Sequence, residues 1–434
     1  MEVALQAALV LFITFIIQLG IGIPISISIV ISTLITALTA IPLDIVLFTA
    51  AQKMVTGIDS FSLLAVPLFI LSGNIMNNGG IARRLVNFAQ VIGGRLPGSL
   101  AQANVLGNML FGSLSGSAVA SAAAIGGTMI PIQKSEGYDV PFSAAVNIAS
   151  SPTGMLIPPS GSLILYSLVA GGVSISALFI AGYIPGFLMG LATMVVAYIY
   201  AKKNKYPVSA KVTFAEGFKI FLKAIPSLML IVIVIGGIVF GVFTATEGAG
   251  VAVVYTLGLS LIYKSINWQD MRDILLKTGV TTGVIMFLVS ASSAMSWVMA
   301  YTGIPQAISQ AIMSISENPI IILLIMNITL LIVGTFMDLT PAILIFTPIF
   351  LPIATQIGLH PVHFGIILVF NLCIGIMTPP VGSVLFVGCS VAEIPIEKVI
   401  KPLLPFFAAL VAVLLLVTYI PAISLFLPRL FGLI

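Results

Sequence analysis

Gly154-Met155-Leu156-Ile157-Pro158-Pro159-Ser160-Gly161-Ser162 returns 221 positions later as Gly375-Ile376-Met377-Thr378-Pro379-Pro380-Val381-Gly382-Ser383, and both copies interrupt otherwise apolar sequence. The shared pattern is Gly-x-x-x-Pro-Pro-x-Gly-Ser. Two successive prolines remove two amide donors and fix φ, so no regular helix runs through them, and the flanking glycines let the freed backbone take other dihedrals. Inside a bilayer such a break leaves carbonyls without partners. Bare backbone is tolerated at that depth only where protein buries it or where it lines a polar cavity. Matching breaks in two halves of a membrane chain therefore point to the central site of a transporter.

The chain is 59% hydrophobic and 7% charged, against about 25% charged in soluble domains. It is an integral membrane protein, and its continuous apolar runs predict helices rather than the alternating strands of a barrel. Glu2 and no basic residue precede the first apolar stretch, which is not the pattern of a secretory signal peptide. The net charge of +4 comes from lysines and arginines beside membrane spans, without interleaved aromatics. Membrane topology accounts for them, and no nucleic-acid partner is expected. Cys373 and Cys389 have no metal-ligand spacing and read as packing residues. His360 and His363 lack a carboxylate or cysteine partner and read as structural or surface residues rather than a zinc site.

The repeat extends beyond the double prolines. At or near the same offset Pro131 matches Pro352 and Gly20 matches Gly241, while Met76, Gly80 and Ile81 match Met299, Gly303 and Ile304 with two residues added. The chain thus reads as a first repeat (1–201), a lysine-rich cytoplasmic connector (202–223) and a second repeat (224–434). Each repeat opens with two full spans (3–19 and 24–40; 225–243 and 248–263). An amphipathic or loop stretch holding Lys53 or Arg272 follows, then a third span (60–77; 279–300). Next come two short apolar segments around a polar break (99–112 and 117–131; 319–335 and 340–357), expected to form a re-entrant hairpin. The span broken by the double proline (141–170; 361–392) and a final span close the unit.

Five crossings per unit is an odd number, so the second unit is inserted upside down relative to the first. Charge supports this count. With the connector inside, fifteen of the seventeen Lys and Arg residues lie on the inner face, among them Arg83, Arg84, Arg95, Lys134 and Lys211, and only Lys53 and Arg429 lie outside. That asymmetry is the positive-inside bias. The fold class is all-α integral membrane, with two inverted-topology repeats, re-entrant hairpins and discontinuous helices.

Glu247 and Asp338 are the acids that fall in or beside intramembrane breaks, where an ionisable group is costly and by default functional. Asp338 lies at the tip of the outward hairpin, Gly334-Thr335-Phe336-Met337-Asp338-Leu339-Thr340. The matching tip, Gly112-Ser113-Leu114-Ser115-Gly116-Ser117, carries hydroxyls and no charge. Each tip is expected to face the double-proline loop of its own unit. Carbonyls, hydroxyls and one carboxylate are hard ligands of low total charge, which suits a monovalent cation, sodium, better than a divalent one. Carbonyl ends near 150–154 and 372–375 would hold the ions, and the N-termini of the second half-helices would face an anionic substrate. Glu247 reads either as a helix N-terminal acid or as a proton-coupling group. Asn74, Asn77, Asn78 and Asn147 read as cavity residues or as interhelical hydrogen-bond partners. Trp268 and Trp297 read as interface or packing aromatics. Gly112-Ser113-Leu114-Ser115-Gly116 is similar to the G-x-S-x-G nucleophile pattern but has Leu114 at its central position, and hydrolysis would also need a strand-to-helix turn and a histidine in reach. No enzyme activity is expected.

Several of these stretches together resemble the large membrane subunit of tripartite ATP-independent periplasmic (TRAP) transporters. They are Gly93-Gly94-Arg95-Leu96-Pro97-Gly98, Ser113-Leu114-Ser115-Gly116-Ser117, Ile157-Pro158-Pro159-Ser160, Thr244-Ala245-Thr246-Glu247-Gly248-Ala249 and Thr378-Pro379-Pro380-Val381-Gly382. The resemblance spans essentially the whole chain. It implies a multi-pass secondary transporter of the bacterial inner membrane, with an elevator-type transport domain driven by a sodium gradient. It implies three partners: a periplasmic substrate-binding protein, a small membrane subunit of four helices, and an organic acid such as a C4-dicarboxylate or sialic acid. Carried over by position, one sodium site would use Ser113 and Ser115 with carbonyls of Gly154, Ile157 and Pro159, and the other Gly334, Gly375, Thr378 and Val381. Ser117, Asp338, Pro158, Ser160, Pro379 and Pro380 would lie near substrate and ions. The hairpins and broken helices would move, and the long first and last spans of each repeat with their amphipathic arms would form a static frame. A proton-coupled transporter of similar fold and a channel are the alternatives.

Overall fold

The computed structural model describes residues 2–78, 80–94, 96–208 and 213–434; Arg95 and Lys211, assigned above to the inner face, lie outside them. Among the described residues the chain is helical throughout and has no strand. The first unit comprises α1 (Glu2–Gly20), α2 (Ile25–Leu38), α3 (Leu43–Ile58), a short 3-10 turn (Phe61–Leu64) running into α4 (Ala65–Asn78), α5 (Ile81–Gly93), α6 (Ser99–Ser115), α7 (Ala118–Ser135), α8 (Val140–Ser150), α9 (Thr153–Leu156), α10 (Gly161–Val169) and α11 (Ile175–Lys203). The second comprises α12 (Phe214–Val239), α13 (Ala245–Ile262), α14 (Trp268–Thr302), α15 (Ile304–Ile315), α16 (Pro319–Phe336), α17 (Leu339–Gln356), α18 (Pro361–Gly375), α19 (Ser383–Ala392), α20 (Ile396–Tyr419) and α21 (Ala422–Leu430).

The two units pack reciprocally. α4 lies on α13, and its counterpart α14 lies on α2; α8 lies on α20 and α18 on α11; α10 lies on α17 and α19 on α7. Such crossed pairs are what a two-fold relation between the halves produces, and each unit completes the other's packing. Among the described residues, eight helices are long and apolar enough to span a membrane. Length alone admits α16 and α17 to that set, but their connecting tip packs against the α18–α19 break. The pair therefore turns back at the depth of that break, as a hairpin.

Left-handed glycines set the corners. Gly80 (φ 67°) and Gly303 (φ 73°) end α4 and α14 at the matching positions read from the sequence, and an L side chain there would be strained. Each glycine turns the chain into an amphipathic helix, α5 or α15, that sequence reading leaves unassigned. On α5, Ile81, Leu85, Val86 and Ala89 are buried at helical spacing while Arg83 and Asn87 face out. These two arms join the spans to the hairpins.

Three further differences from expectation have local causes. The arm around Arg272 and the third span of the second unit form one continuous helix, α14, started by an Asn267/Asp270 capping box. Its counterpart breaks between α3 and α4, where Asp59 and Ser60 leave helical geometry. The connector is partly helical: Thr213 and Glu216 form a capping box, and α12 runs from residue 214. The last apolar run of the chain divides at Ile420 and Pro421 into α20 and α21.

The final spans pack mainly on the hairpins and broken helices, whereas the sequence reading groups them with the first spans. α11 packs on α6, α9 and α18, and α20 packs on α8 and α18, so both belong with the hairpins and broken helices. Small residues on α11 allow this approach. A Cβ at Gly182 would sit 2.3 Å from the Leu156 carbonyl oxygen, and one at Gly186 would sit 2.5 Å from Ile157 Cγ1. Close backbone approach at small residues is the usual means of helix association in lipid. Gly182→Ala is expected to lower stability by about 1–3 kcal/mol through overpacking, read as a drop in unfolding temperature. Gly127→Ala, where the added methyl meets nothing within 4 Å, should leave that temperature unchanged or raise it.

Candidate ion and substrate site

Both hairpin tips meet the broken helices backbone to backbone. A Cβ at Gly154 would lie 2.2 Å from Gly112 Cα, and one at Gly375 would lie 2.4 Å from Gly334 Cα. The two glycine crossings occupy matching positions in the two units. No side chain larger than hydrogen fits at either, so the hairpin main chain, with the Gly112 and Gly334 carbonyls, lies directly against the break. Each tip faces the double-proline loop of its own unit, as expected.

In the first unit α6 ends at Gly116 (φ 61°), whose amide donates to Gly112 O at 2.8 Å. Ser117 then caps α7, its hydroxyl accepting from Ala120 N at 3.2 Å. The Ser115 hydroxyl faces the carbonyls of Gly112 and Ser117, each at 3.5 Å. The Ser113 hydroxyl donates to Leu110 O of its own helix at 2.9 Å, and this residue is buried. Across the gap, Ser160 donates to the carbonyl of Met155, and Pro159 O lies 3.9 Å from a Cβ built on Gly116. Pro158, Pro159 and Ile157 are buried.

The second unit repeats this arrangement with different polar groups. The amides of Val381 and Gly382 both donate to Thr335 O at 3.3 Å, tying loop to tip. Thr378 donates to Ile374 O at 2.7 Å, and Ser383 donates to Asp338 Oδ1 at 3.2 Å. The Pro158-Pro159 and Pro379-Pro380 peptides are both cis. Exposure separates the two loops: the first is buried, whereas Pro379 is half-buried and Pro380, Val381 and Asp338 are open.

A cavity lies where the units meet. Its walls come from Ser115 and Gly116 of the first tip, Pro159, Gly161 and Ser162 of the first loop, Thr340 beyond the second tip, Val66, Phe69 and Ile70 of α4, and Ile285 of α14. None of its lining residues is titratable. α10 points its N-terminal turn into this space, and Ser160 supplies no side-chain cap to that turn. Ser162 Oγ is buried there without a protein hydrogen-bond partner. Sequence reading omits Ser162, Thr340 and the α4 wall; the Gly-Ser ending each motif was the available signal for Ser162.

Buried amides brace the tips. Asn108 of α6 donates to Asn147 Oδ1 of α8 at 3.1 Å, and Asn147 donates to Ala122 O of α7 at 2.8 Å. In the second unit Asn371 of α18 donates to Asn327 Oδ1 of α16 at 2.7 Å. Asn74 donates to Thr278 at 2.9 Å. Asn74 and Asn147 therefore make interhelical hydrogen bonds. Glu247 is an N-terminal helix acid: its Oε2 accepts from Thr244 N at 2.8 Å and from the Thr244 hydroxyl at 2.9 Å. His363 is buried with its ring nitrogens on Ser424 Oγ (2.6 Å) and Thr418 O (3.2 Å), away from the serine tip. His360 caps α18. Trp268 is exposed, and Trp297 packs beside Tyr301.

The family described as "Tripartite ATP-independent periplasmic transporter, DctM component" matches residues 12–423. The chain belongs to the DctM family. This DctM component is 56% identical over 424 residues to the protein YgiK of Salmonella typhimurium, with 98% of each chain covered. It is 42% identical to the C4-dicarboxylate TRAP transporter large permease protein DctM of Pseudomonas aeruginosa, covering 88% of this chain and 90% of that one. It is 40% identical, with the same coverage, to the sialic acid TRAP transporter large permease protein SiaM of Vibrio cholerae. In fold it is similar to the YdaH transporter of Alcanivorax borkumensis (TM-score 0.60, 13% identity, 84% of this chain and 86% of that one). The DctM component is a multi-pass membrane transport protein and not a hydrolase.

Gly154→Ala and Gly375→Ala each place a methyl against backbone that cannot move aside as a side chain would. Each is expected to reduce uptake by reconstituted protein by more than about tenfold, the effect of a displacement costing 1.4 kcal/mol or more. Retained uptake in both variants would show that the crossings are not needed for transport.

Proposed function

We propose that this DctM component carries a small organic carboxylate across the bacterial inner membrane, coupled to sodium. The observation that supports this most is the pair of glycine crossings, which set hairpin main chain against broken-helix main chain at two matching places, the first of them beside the cavity. Carbonyls and hydroxyls around Ser113, Ser115, Gly154, Ile157 and Pro159 form one donor set. Those of Gly334, Gly375, Thr378 and Val381, near Asp338, form the other. Such hard, weakly charged donors fit sodium; a bound ion supplies positive charge beside the cavity. Ser113 contributes only if its hydroxyl swings from Leu110 O.

The substrate carboxylate lies in this reading against the N-terminal turn of α10, where free amides and the helix dipole favour an anion. The Ser162 hydroxyl, otherwise unpartnered, donates to it. Sodium rather than proton coupling is favoured in this reading by the hard, weakly charged donor sets and by the structural use of Glu247 as a cap. The hairpins, broken helices, α11 and α20 would move as one body against α1–α4 and α12–α14, with α5 and α15 as links. This division cuts across the two repeats. A periplasmic binding protein and a small membrane subunit complete the tripartite system.

Uptake by the reconstituted system, with its binding protein and small subunit, should follow an imposed sodium gradient. Ser115→Ala and Asp338→Ala should weaken sodium activation by about 1–3 kcal/mol, about 5- to 150-fold in half-saturating sodium. A pH gradient driving uptake without sodium would overturn the coupling. Ser162→Ala should raise the substrate KM by about fivefold, as loss of one hydrogen bond, with sodium activation unchanged.

A further inference from the structure

Away from the candidate site, a second cavity of about 580 Å³ opens between α5, α12 and the end of α13, its lining including Gly80, Arg83, Arg84, Lys223, Tyr263 and Ser265. Three cations from two elements converge on it, and none of them forms an ion pair among the described residues. Arg84 is held in place: its guanidinium carbon lies 3.5 Å from the centroid of the Tyr263 ring, and Nη1 donates to Gly80 O at 3.1 Å. A Cβ at Gly80 would approach Arg84 Nη1 to 3.5 Å and Ser265 Cβ to 3.8 Å, so the glycine corner forms part of the wall.

The reciprocal fold supplies an internal comparison. At the matching corner Gly303 lies near Gln306 and Ala4, and Gln306 and Ala307 stand where Arg83 and Arg84 stand in the first unit. The left-handed glycine corner is thus present in both units, and the cationic lining in one. That face is the one the Lys and Arg distribution marks as cytoplasmic. Apolar side chains adjoin the cavity: Leu222 beside Lys223, and Leu261 and Ile262 beside Tyr263, are all exposed.

The geometry points to a binding site for the phosphodiester headgroup of an anionic phospholipid of the inner leaflet, with Arg83, Arg84 and Lys223 on the phosphate and the acyl chains along α12 and α13. Basic pockets beside membrane helices on the cytoplasmic side suit such headgroups, and guanidinium groups match phosphate oxygens. Adjacent exposed apolar surface favours a lipid over free phosphate. Because α5 links frame to hairpin, the lipid would wedge the arm against α12.

Native mass spectrometry of the full chain in detergent, with phosphatidylglycerol or phosphatidylcholine added, tests this. The wild type should retain phosphatidylglycerol in preference to phosphatidylcholine. Arg83→Gln with Lys223→Gln, both at exposed positions, should cut that retention on the order of tenfold at unchanged unfolding temperature. Lys53→Gln with Arg429→Gln, away from the cavity, should not, and Arg83→Lys with Lys223→Arg should retain the lipid. Equal retention by the two glutamine pairs would overturn the site. Release of the lipid by millimolar inorganic phosphate would assign the cavity to a soluble phosphate instead. Unchanged lipid retention with lost association of the small membrane subunit would assign it to a protein partner.

Discussion

Unpaired main chain has no place in hydrocarbon unless other protein encloses it, and at two depths in this chain the enclosure is another length of main chain. Gly112 against Gly154 and Gly334 against Gly375 bring a hairpin and an interrupted helix closer than any side chain permits. The surrounding architecture serves these two crossings. The Asn108–Asn147 and Asn327–Asn371 contacts fix how each hairpin lies on its helix. Glycines on α11 let that helix close over the first break from behind. An interhelical hydrogen bond in a membrane protein contributes about 0.6 to 2 kcal/mol, so these amides orient the crossings more than they stabilise the whole.

The two crossings are alike in backbone and unlike in chemistry. Around the first, the polar groups are neutral hydroxyls within buried protein; around the second, a carboxylate at Asp338 stands with its loop open. A duplicated scaffold has thereby placed polar groups of different character at two matching crossings. The cavity takes its walls from both units, with α4 and α14 facing the first tip and loop.

Reading from sequence succeeded where covalent chemistry dictates conformation. Consecutive prolines forbid helix, and the polar runs at 112–117 and 334–340 mark turns, so the breaks and hairpins were legible to within a few residues. The odd number of crossings and the charge bias carried the inverted arrangement. What was not legible depended on partners far along the chain. α5 and α15 are amphipathic over only three turns, and their apolar faces resemble the apolar surroundings. The grouping of α11 and α20 with the hairpins was hidden because a glycine at 182, 186 or 190 does not announce which backbone will approach it. Ser162 was visible as part of a motif, but its unpartnered hydroxyl is a property of the cavity. Gly80 and Gly303 were found as a repeat without their reason, which is the left-handed corner each must make.

The third span marks a mechanical difference between the halves. α14 is 35 residues long, about 52 Å at 1.5 Å per residue, well beyond the roughly 30 Å hydrocarbon core. Its first turns therefore extend past the membrane as part of one stiff rod. The corresponding stretch of the other half is jointed at Asp59 and Ser60. A push delivered to the start of α14 travels along the whole strut to its far end, whereas a push on α3 is spent at the elbow. Forces arising on the two sides of the bilayer thus reach the interior with different leverage, although the scaffold that receives them is built twice from one plan.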